Sequence, residues 1–247
     1  MKLEKIKIKG VVVKEVSYKE SSKILNIITD TKGLLGVISR GCKNIKSPLR
    51  VASSKLSYGN YYINYKEDGL SILTEAEILN DFKNIKTDLT KIGFVTYLID
   101  LASQVMKESN ENEIFTILEA ALLKIENNFD PLVITNIVEL KYLKFLGVFP
   151  ILDKCAKCSN TNDIVTINSQ AGGYLCKNCY KNEYITDKKT VKLLRMYDLV
   201  DLSKIKELNI KDINKKEINI FLETYYTEYT GLYLKSKDFL NQIKDKY

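Results

Sequence analysis

The sequence predicts an α+β chain of two domains: a small β-barrel, then a helical domain that carries an inserted four-cysteine metal segment. Three observations predict this. Residues 1–80 hold short β-rich runs with turn signals close together. From residue 81 the apolar residues recur at helical spacing. Four of the five cysteines form two CxxC pairs separated by 17 residues.

The strands come first. Lys5-Ile6-Lys7-Ile8-Lys9 alternates with a period of two, as a half-buried strand does, and Gly10 to Val16 extends it. Ile24 to Asp30 is a second run, closed by the turn Thr31-Lys32-Gly33, and Leu34 to Ser39 is a third. Tyr58 to Tyr65 and Leu70 to Glu77 flank the turn signal Lys66-Glu67-Asp68-Gly69. About five short strands in a segment of this size suggest a small closed barrel, for which the OB-fold is the common candidate.

The helical pattern begins at Asp81 and runs to Met106, then resumes from Glu113 to Ile125. Asp130-Pro131 has the chemistry of a helix start, an acceptor cap followed by proline in the first turn. That helix is expected over Leu132 to Leu146, stopping near Gly147, and its dense apolar residues mark it as the central helix of the second domain. Helical spacing returns from Asp187, and a last helix is expected from about Lys215 to Leu234. The expected domains are thus 1–80, a barrel, and 81–247, a helical domain containing a metal-binding segment at 153–182.

Composition excludes several kinds of chemistry. The chain has 247 residues and no histidine, which removes Ser-His-Asp triads, Cys-His pairs and histidine-ligated metals. No paired carboxylates stand in a convincing setting, so no catalytic residue is assigned and an enzyme is not expected. No apolar run approaches the ~20 residues of a spanning helix. The N-terminus, Met1 to Lys9, lacks the apolar core of a signal peptide, so the expected location is cytoplasmic, with no membrane partner.

Charge is unevenly placed. Residues 1–80 hold 14 Lys and Arg against 8 Asp and Glu, whereas residues 81–247 hold 24 against 23. Between Asp30 and Glu67 there is no acid, and Lys32, Arg40, Lys43, Lys46 and Arg50 all fall in that window, with Lys55 and Lys66. One reading is a solvated basic face; the sharper one is a polyanion site, because the cations are grouped and undiluted. On the second reading Lys32, Arg40, Lys43, Lys46 and Arg50 are the candidate contacts to polyanion phosphates, and the two arginines are favoured because a guanidinium holds phosphate bidentately. Tyr58, Tyr61, Tyr62 and Tyr65 offer stacking faces, but alternation in a strand must turn about half of them inward.

Cys155, Cys158, Cys176 and Cys179 have the spacing of a zinc site. Each CxxC turn offers two sulfurs to one ion, and two turns complete a tetrahedron of soft ligands with no open position, so the Zn2+ ion is expected to be structural. The alternatives are two disulfides, disfavoured in a reducing compartment, and unrelated thiols, disfavoured by the spacing; iron in place of zinc is a minor one. Cys42 stands apart and reads as a small packed residue.

Several blocks resemble one family. Phe145-Leu146-Gly147-Val148-Phe149-Pro150-Ile151-Leu152-Asp153-Lys154-Cys155-Ala156-Lys157-Cys158 resembles the LLxxxGxxPxLxxCxxC signature of RecO, and Gly172 to Cys179 resembles its second half. Asp30 to Gly41, followed by Lys46, Leu49 and Arg50, resembles the family's barrel strand and basic turn. Tyr229 to Leu240 resembles its closing motif, with Thr230 where the family usually has His and Lys237 where it often has Arg. The resemblance spans nearly the whole chain in order. It implies an OB barrel and a helical domain with an inserted zinc ribbon. It also implies binding to single- and double-stranded DNA, annealing of complementary strands, and partnership with RecR and the C-terminal tail of single-stranded-DNA-binding protein (SSB), which together load RecA. Such a protein would be nucleoid-associated. The tail is acidic with an apolar end, so its receptor should be an apolar groove with a basic rim; Lys141, Lys144 and Arg195 are candidates for that rim. The competing reading is an OB-fold and zinc-ribbon nucleic-acid adaptor of transcription or translation.

Overall fold

The computed structural model describes residues 4–244; Met1 to Leu3, part of the N-terminal segment read above, lie outside them. The chain divides into two compact units, Met1–Glu119 and Ala120–Tyr247.

The first unit is built on a closed five-stranded barrel: β1 (Glu4–Tyr18), β2 (Ser22–Thr29), β3 (Leu34–Ser39), β4 (Tyr58–Tyr65) and β5 (Ser71–Asn80). Around the barrel the order is β1-β2-β3-β5-β4, so β1 closes the ring by pairing with β4 as well as β2. β3 and β5 run parallel and every other join is antiparallel. This is the Greek-key arrangement of an OB-fold. The 15-residue β1 serves both neighbours because it slips register between Val12 and Lys14, a bulge that bends it around the barrel. Alternate residues point inward: Ile8, Val12, Leu25, Ile27, Val37, Tyr61, Ile63 and Leu73 form the core. Gly59 is required by a close approach, since a Cβ there would sit 2.2 Å from the Glu77 carbonyl oxygen on β5.

The helical run from Asp81 is broken in two, into α1 (Lys83–Lys86) and α2 (Leu89–Ser109). The interruption has a local cause. The Asp88 carboxylate accepts the Lys91 N–H at 3.1 Å and starts a new helix where periodicity alone reads one continuous element. α3 (Asn112–Glu126) follows, and the division between the units falls within it. In the first unit Glu119 of α3 pairs with Lys9 of β1 at 2.8 Å and accepts the Tyr58 hydroxyl.

The second unit centres on α4 (Pro131–Phe145), which packs against α5 (Lys188–Leu199) and α6 (Asp212–Tyr229). Asp130 caps α4 through the N–H groups of Leu132 and Val133. The helix ends in a Schellman turn: Val148 N–H reaches Leu143 O, Gly147 N–H reaches Lys144 O, and Gly147 takes φ +71°. Val133 to Leu140, with Tyr142 and Leu143, are buried, as a helix surrounded on all sides requires. The expected helix from Lys215 to Leu234 instead begins at Asp212 and stops at Tyr229. Thr230 and the left-handed Gly231 (φ +62°) turn the chain, and α7 (Lys235–Lys244) begins at the Lys235-Ser236-Lys237 stretch. Between α4 and α5 lies the two-stranded hairpin of β6 (Ile164–Asn168) and β7 (Gly173–Cys176).

Candidate metal centre and nucleic-acid interface

The two CxxC turns are held by backbone hydrogen bonds on either side of the β6–β7 hairpin. Cys155 N–H donates to Asn160 O at 2.7 Å and Ser159 N–H to Cys155 O, folding the first turn. Cys179 N–H and Tyr180 N–H both donate to Cys176 O, folding the second. Ala156 N–H to Tyr174 O and Lys177 N–H to Asp163 O hold the turns to the strands. The hairpin is tied to the end of α4 by Ile151 N–H to Gly172 O and Tyr174 N–H to Ile151 O. Gly173 permits that approach: it adopts φ +150°, and a Cβ there would lie 2.2 Å from Ile151 O.

The four ligand atoms of Cys155, Cys158, Cys176 and Cys179 lie within 4.8 Å of one another. All are free thiols, and the Cys158–Cys176 sulfur separation of 3.6 Å is far beyond a disulfide bond. Four sulfurs bound at ~2.3 Å around a tetrahedral ion stand about 3.8 Å apart, so the cluster fits a tetrahedral thiophilic metal. Its electrostatics point the same way. Burial raises the Cys155 thiol pKa, but the N–H groups of Cys176, Cys158 and Lys157 outweigh this and bring it to about 6. Hydrogen bonding among the sulfurs pushes Cys179 up to about 12. The pocket therefore favours a first thiolate and resists the last, a conflict that a bound cation relieves. Beside the sulfurs, Leu175, Ile164 and Ala171 supply only a small apolar core. Cys42 lies outside the cluster and is buried in the first unit.

The basic residues of the barrel divide between its two ends. Arg40, Lys43, Lys46 and Arg50 all lie on the connection between β3 and β4, a chain of turns that packs Leu49 and Ala52 onto the core. This connection is stitched to the barrel by Leu56 N–H to Val12 O, Val12 N–H to Ser57 O, Lys43 N–H to Ser21 O and a buried 2.7 Å bond between the Ser53 and Ser39 hydroxyls. Among the described residues none of these four cations forms an ion pair. Lys32 lies apart from them. It sits in the β2–β3 turn, at the other end of β3 from Arg40, with its ammonium 4.6 Å from the centre of the Tyr65 ring.

The tip of the β1–β2 hairpin joins the Arg40–Arg50 surface: Lys43 Nζ donates to Lys19 O, and Lys23 Nζ donates to Ser53 O while pairing with Glu15. Sequence reasoning passed over Lys19 and Lys23 because Glu15 and Glu20 lie among them; only the strand pairing shows the neighbourhood. Of the four tyrosines, Tyr58 and Tyr61 are buried, and Tyr61 donates to Ser57 O at 3.0 Å. Tyr62 and Tyr65 are partly exposed.

In the second unit a groove of about 560 Å³ runs beside α5, lined by apolar Leu193, Met196, Ile205 and Leu208, by two cations, Lys189 and Lys192, and by one acid, Glu207. Lys144 and Arg195 do not line it. Both pair with Asp198, and Lys141 donates to the Asp198 carbonyl.

Residues 1–82 match the family model described as Recombination protein O N terminal, and residues 86–238 match Recombination protein O C terminal. The DNA repair protein RecO of Listeria monocytogenes serotype 4b is 32% identical over 245 residues, covering 98% of this chain and 95% of that protein. That of Listeria innocua serovar 6a is 33% identical over the same span, and that of Halalkalibacterium halodurans 32% over 242 residues, 96% of this chain. The chain belongs to the RecO family. RecO membership supports a role in DNA repair and recombination. The barrel and the four-cysteine cluster thus sit within the two RecO family regions, and no helix among the described residues is long and apolar enough to cross a membrane.

Proposed function

We propose that this chain is a recombination mediator that holds single- and double-stranded DNA on its barrel, anneals complementary strands, and with RecR helps load RecA onto SSB-coated DNA. On this reading residues 1–80 are the DNA-binding domain and residues 81–247 the helical domain, with the metal segment at 153–182. The protein would work in the cytoplasm on the nucleoid.

The observation that carries the proposal is the placement of Arg40, Lys43, Lys46 and Arg50 on one acid-free connection, with no ion pair to neutralise them among the described residues. Such side chains replace the counterions of phosphates, and by holding two strands on one positive surface they lower the repulsion that opposes pairing. No bond is made or broken in annealing, so the reaction needs no catalytic group. Lys32, at the far end of β3, is a secondary contact.

The metal in this reading is a structural zinc held by Cys155, Cys158, Cys176 and Cys179. Zinc suits the all-thiolate donor set, and in so small a ribbon its binding supplies much of the folding free energy. The groove beside α5 is a receptor for the SSB tail, its apolar lining taking the terminal side chains and Lys189 and Lys192 facing the acidic residues.

The deciding experiment is DNA binding and annealing across a salt series, with zinc content measured on the same preparation. Affinity should fall with salt at a slope of about −0.7 per phosphate contacted on single strands. A folded variant with Arg40, Lys43, Lys46 and Arg50 changed to Glu should lose binding and annealing; normal activity at moderate salt in that variant overturns the proposal. Failure to anneal SSB-coated strands, with DNA binding retained, favours instead an adaptor of transcription or translation.

A further inference from the structure

The β3–β4 connection sends its apolar residues in two directions. Cys42 and Ala52 are buried and Leu49 packs against the barrel core, whereas Ile45 is 85% exposed and Val51 60%. Ile45 is the most exposed large apolar side chain among the described residues. Isolated apolar residues on a surface are ordinary. These two differ in their company. They lie within a run that contains Arg40, Lys43, Lys46, Arg50 and Lys55 and no acid from residue 31 to 66. The adjoining β1–β2 hairpin adds exposed Val16 and Tyr18 beside Lys19.

A surface that alternates cations with apolar side chains complements a polyanion that also has apolar faces. Nucleic acid has both, in its phosphates and its bases. A second copy of this same surface would set like charges against each other.

We propose that Ile45, assisted by Val51, is a base-contacting wedge: the flanking cations hold the phosphates while Ile45 sits against the faces of unstacked bases in a single strand. This rests on the phosphate reading of the same surface. The side chain suits the task. It is β-branched and stiff at χ1, and its neighbours Cys42 and Leu49 anchor the turns that carry it. Apolar side chains used in this way separate neighbouring bases and leave their pairing edges open. A strand held so is presented for pairing rather than merely neutralised, which ties the wedge to annealing.

The test uses the full chain and a single-stranded oligonucleotide carrying 2-aminopurine, whose fluorescence rises when it leaves the stack. The unaltered protein should brighten the probe. Ile45→Ala should lose most of the brightening and bind about tenfold more weakly, the scale of one lost apolar contact, with the slope of affinity against salt unchanged. Ile45→Val, which keeps the β-branch, should retain most of both. Because the side chain is almost fully exposed, neither change disturbs the fold, which a thermal melt checks. Brightening by Ile45→Ala equal to that of the unaltered protein overturns the wedge. If the fourfold charge-reversed variant still loses affinity, that result leaves the phosphate reading standing; if it binds normally, the phosphate reading fails as well.

Discussion

The ammonium of Lys237 on α7 lies 3.1 Å from a carboxylate oxygen of Glu139 on α4, and Glu139 is only 1% exposed. Glu223 approaches the same ammonium at 3.3 Å. Burial by itself lowers the Lys237 pKa, but the two carboxylates outweigh it and hold the group above an ordinary lysine. Lys237→Ala would remove this ammonium from beside the buried Glu139 carboxylate. It should reduce stability by about 3 kcal/mol, read from the urea midpoint, while Lys237→Arg should retain most of it.

The same pair gives a pH dependence. Its folded pKa is raised, so the stabilisation is complete below the unfolded lysine value of about 10.4 and fades as pH rises through the folded value. The difference in melting temperature between the unaltered protein and Lys237→Met should be constant from pH 8 to about pH 10 and narrow above that.

Zinc analysis should find one ion per chain, lost in Cys155→Ser and Cys176→Ser. A strong chelator should lower the melting temperature and expose the ribbon to protease while leaving the barrel's circular-dichroism signal in place. Acid should release the ion as well, because protons compete for the thiolates. Retention of metal in Cys155→Ser would show that the cluster is not the site.

Among the basic residues position should matter more than charge alone. Arg40→Glu should weaken DNA binding more than Lys32→Glu, since Lys32 is about 20 Å away along β3 and is stacked on Tyr65. Equal losses would mean that binding follows net charge rather than a defined surface.

The groove beside α5 predicts capture of an acidic peptide that ends in apolar residues. Met196→Asp should abolish binding through the apolar wall. Lys189→Glu with Lys192→Glu should weaken it in a salt-dependent way. Lys144→Gln should leave the peptide affinity unchanged, because Lys144 does not line the groove and Asp198 keeps its pairing with Arg195. Fluorescence anisotropy of a labelled peptide reads all three.

Local chemistry was legible where it acts locally. The alternation from Lys5 to Lys9, the Asp130-Pro131 cap, the Gly147 stop and the two CxxC turns each encode their structure within a few residues, and each is found where expected. Less legible were features set by neighbours distant in sequence. The acid-free window grouped Lys32 with Arg40 because they are eight residues apart, but a strand carries them to opposite ends. Lys19 and Lys23 join the basic surface only through pairing of β1, β2 and the β3–β4 connection. Lys141, Lys144 and Arg195 looked available for an acidic tail, yet converge on Asp198. The end of α6 was missed because Tyr229, Leu232 and Leu234 continue an apolar pattern through a turn that Gly231 makes possible.

The parallel join between β3 and β5 holds just three residue pairs, Val37 with Ser71, Ile38 with Ile72 and Ser39 with Leu73, whereas the antiparallel joins hold six to eight. This makes it the natural seam of the ring. Amide protons there should exchange with solvent before those of β1, and a chain caught with the seam open would present two raw strand edges to its neighbours. Any variant that loosens Ser39 or Ser71 therefore carries a risk of aggregation that measurements of DNA affinity alone would not reveal.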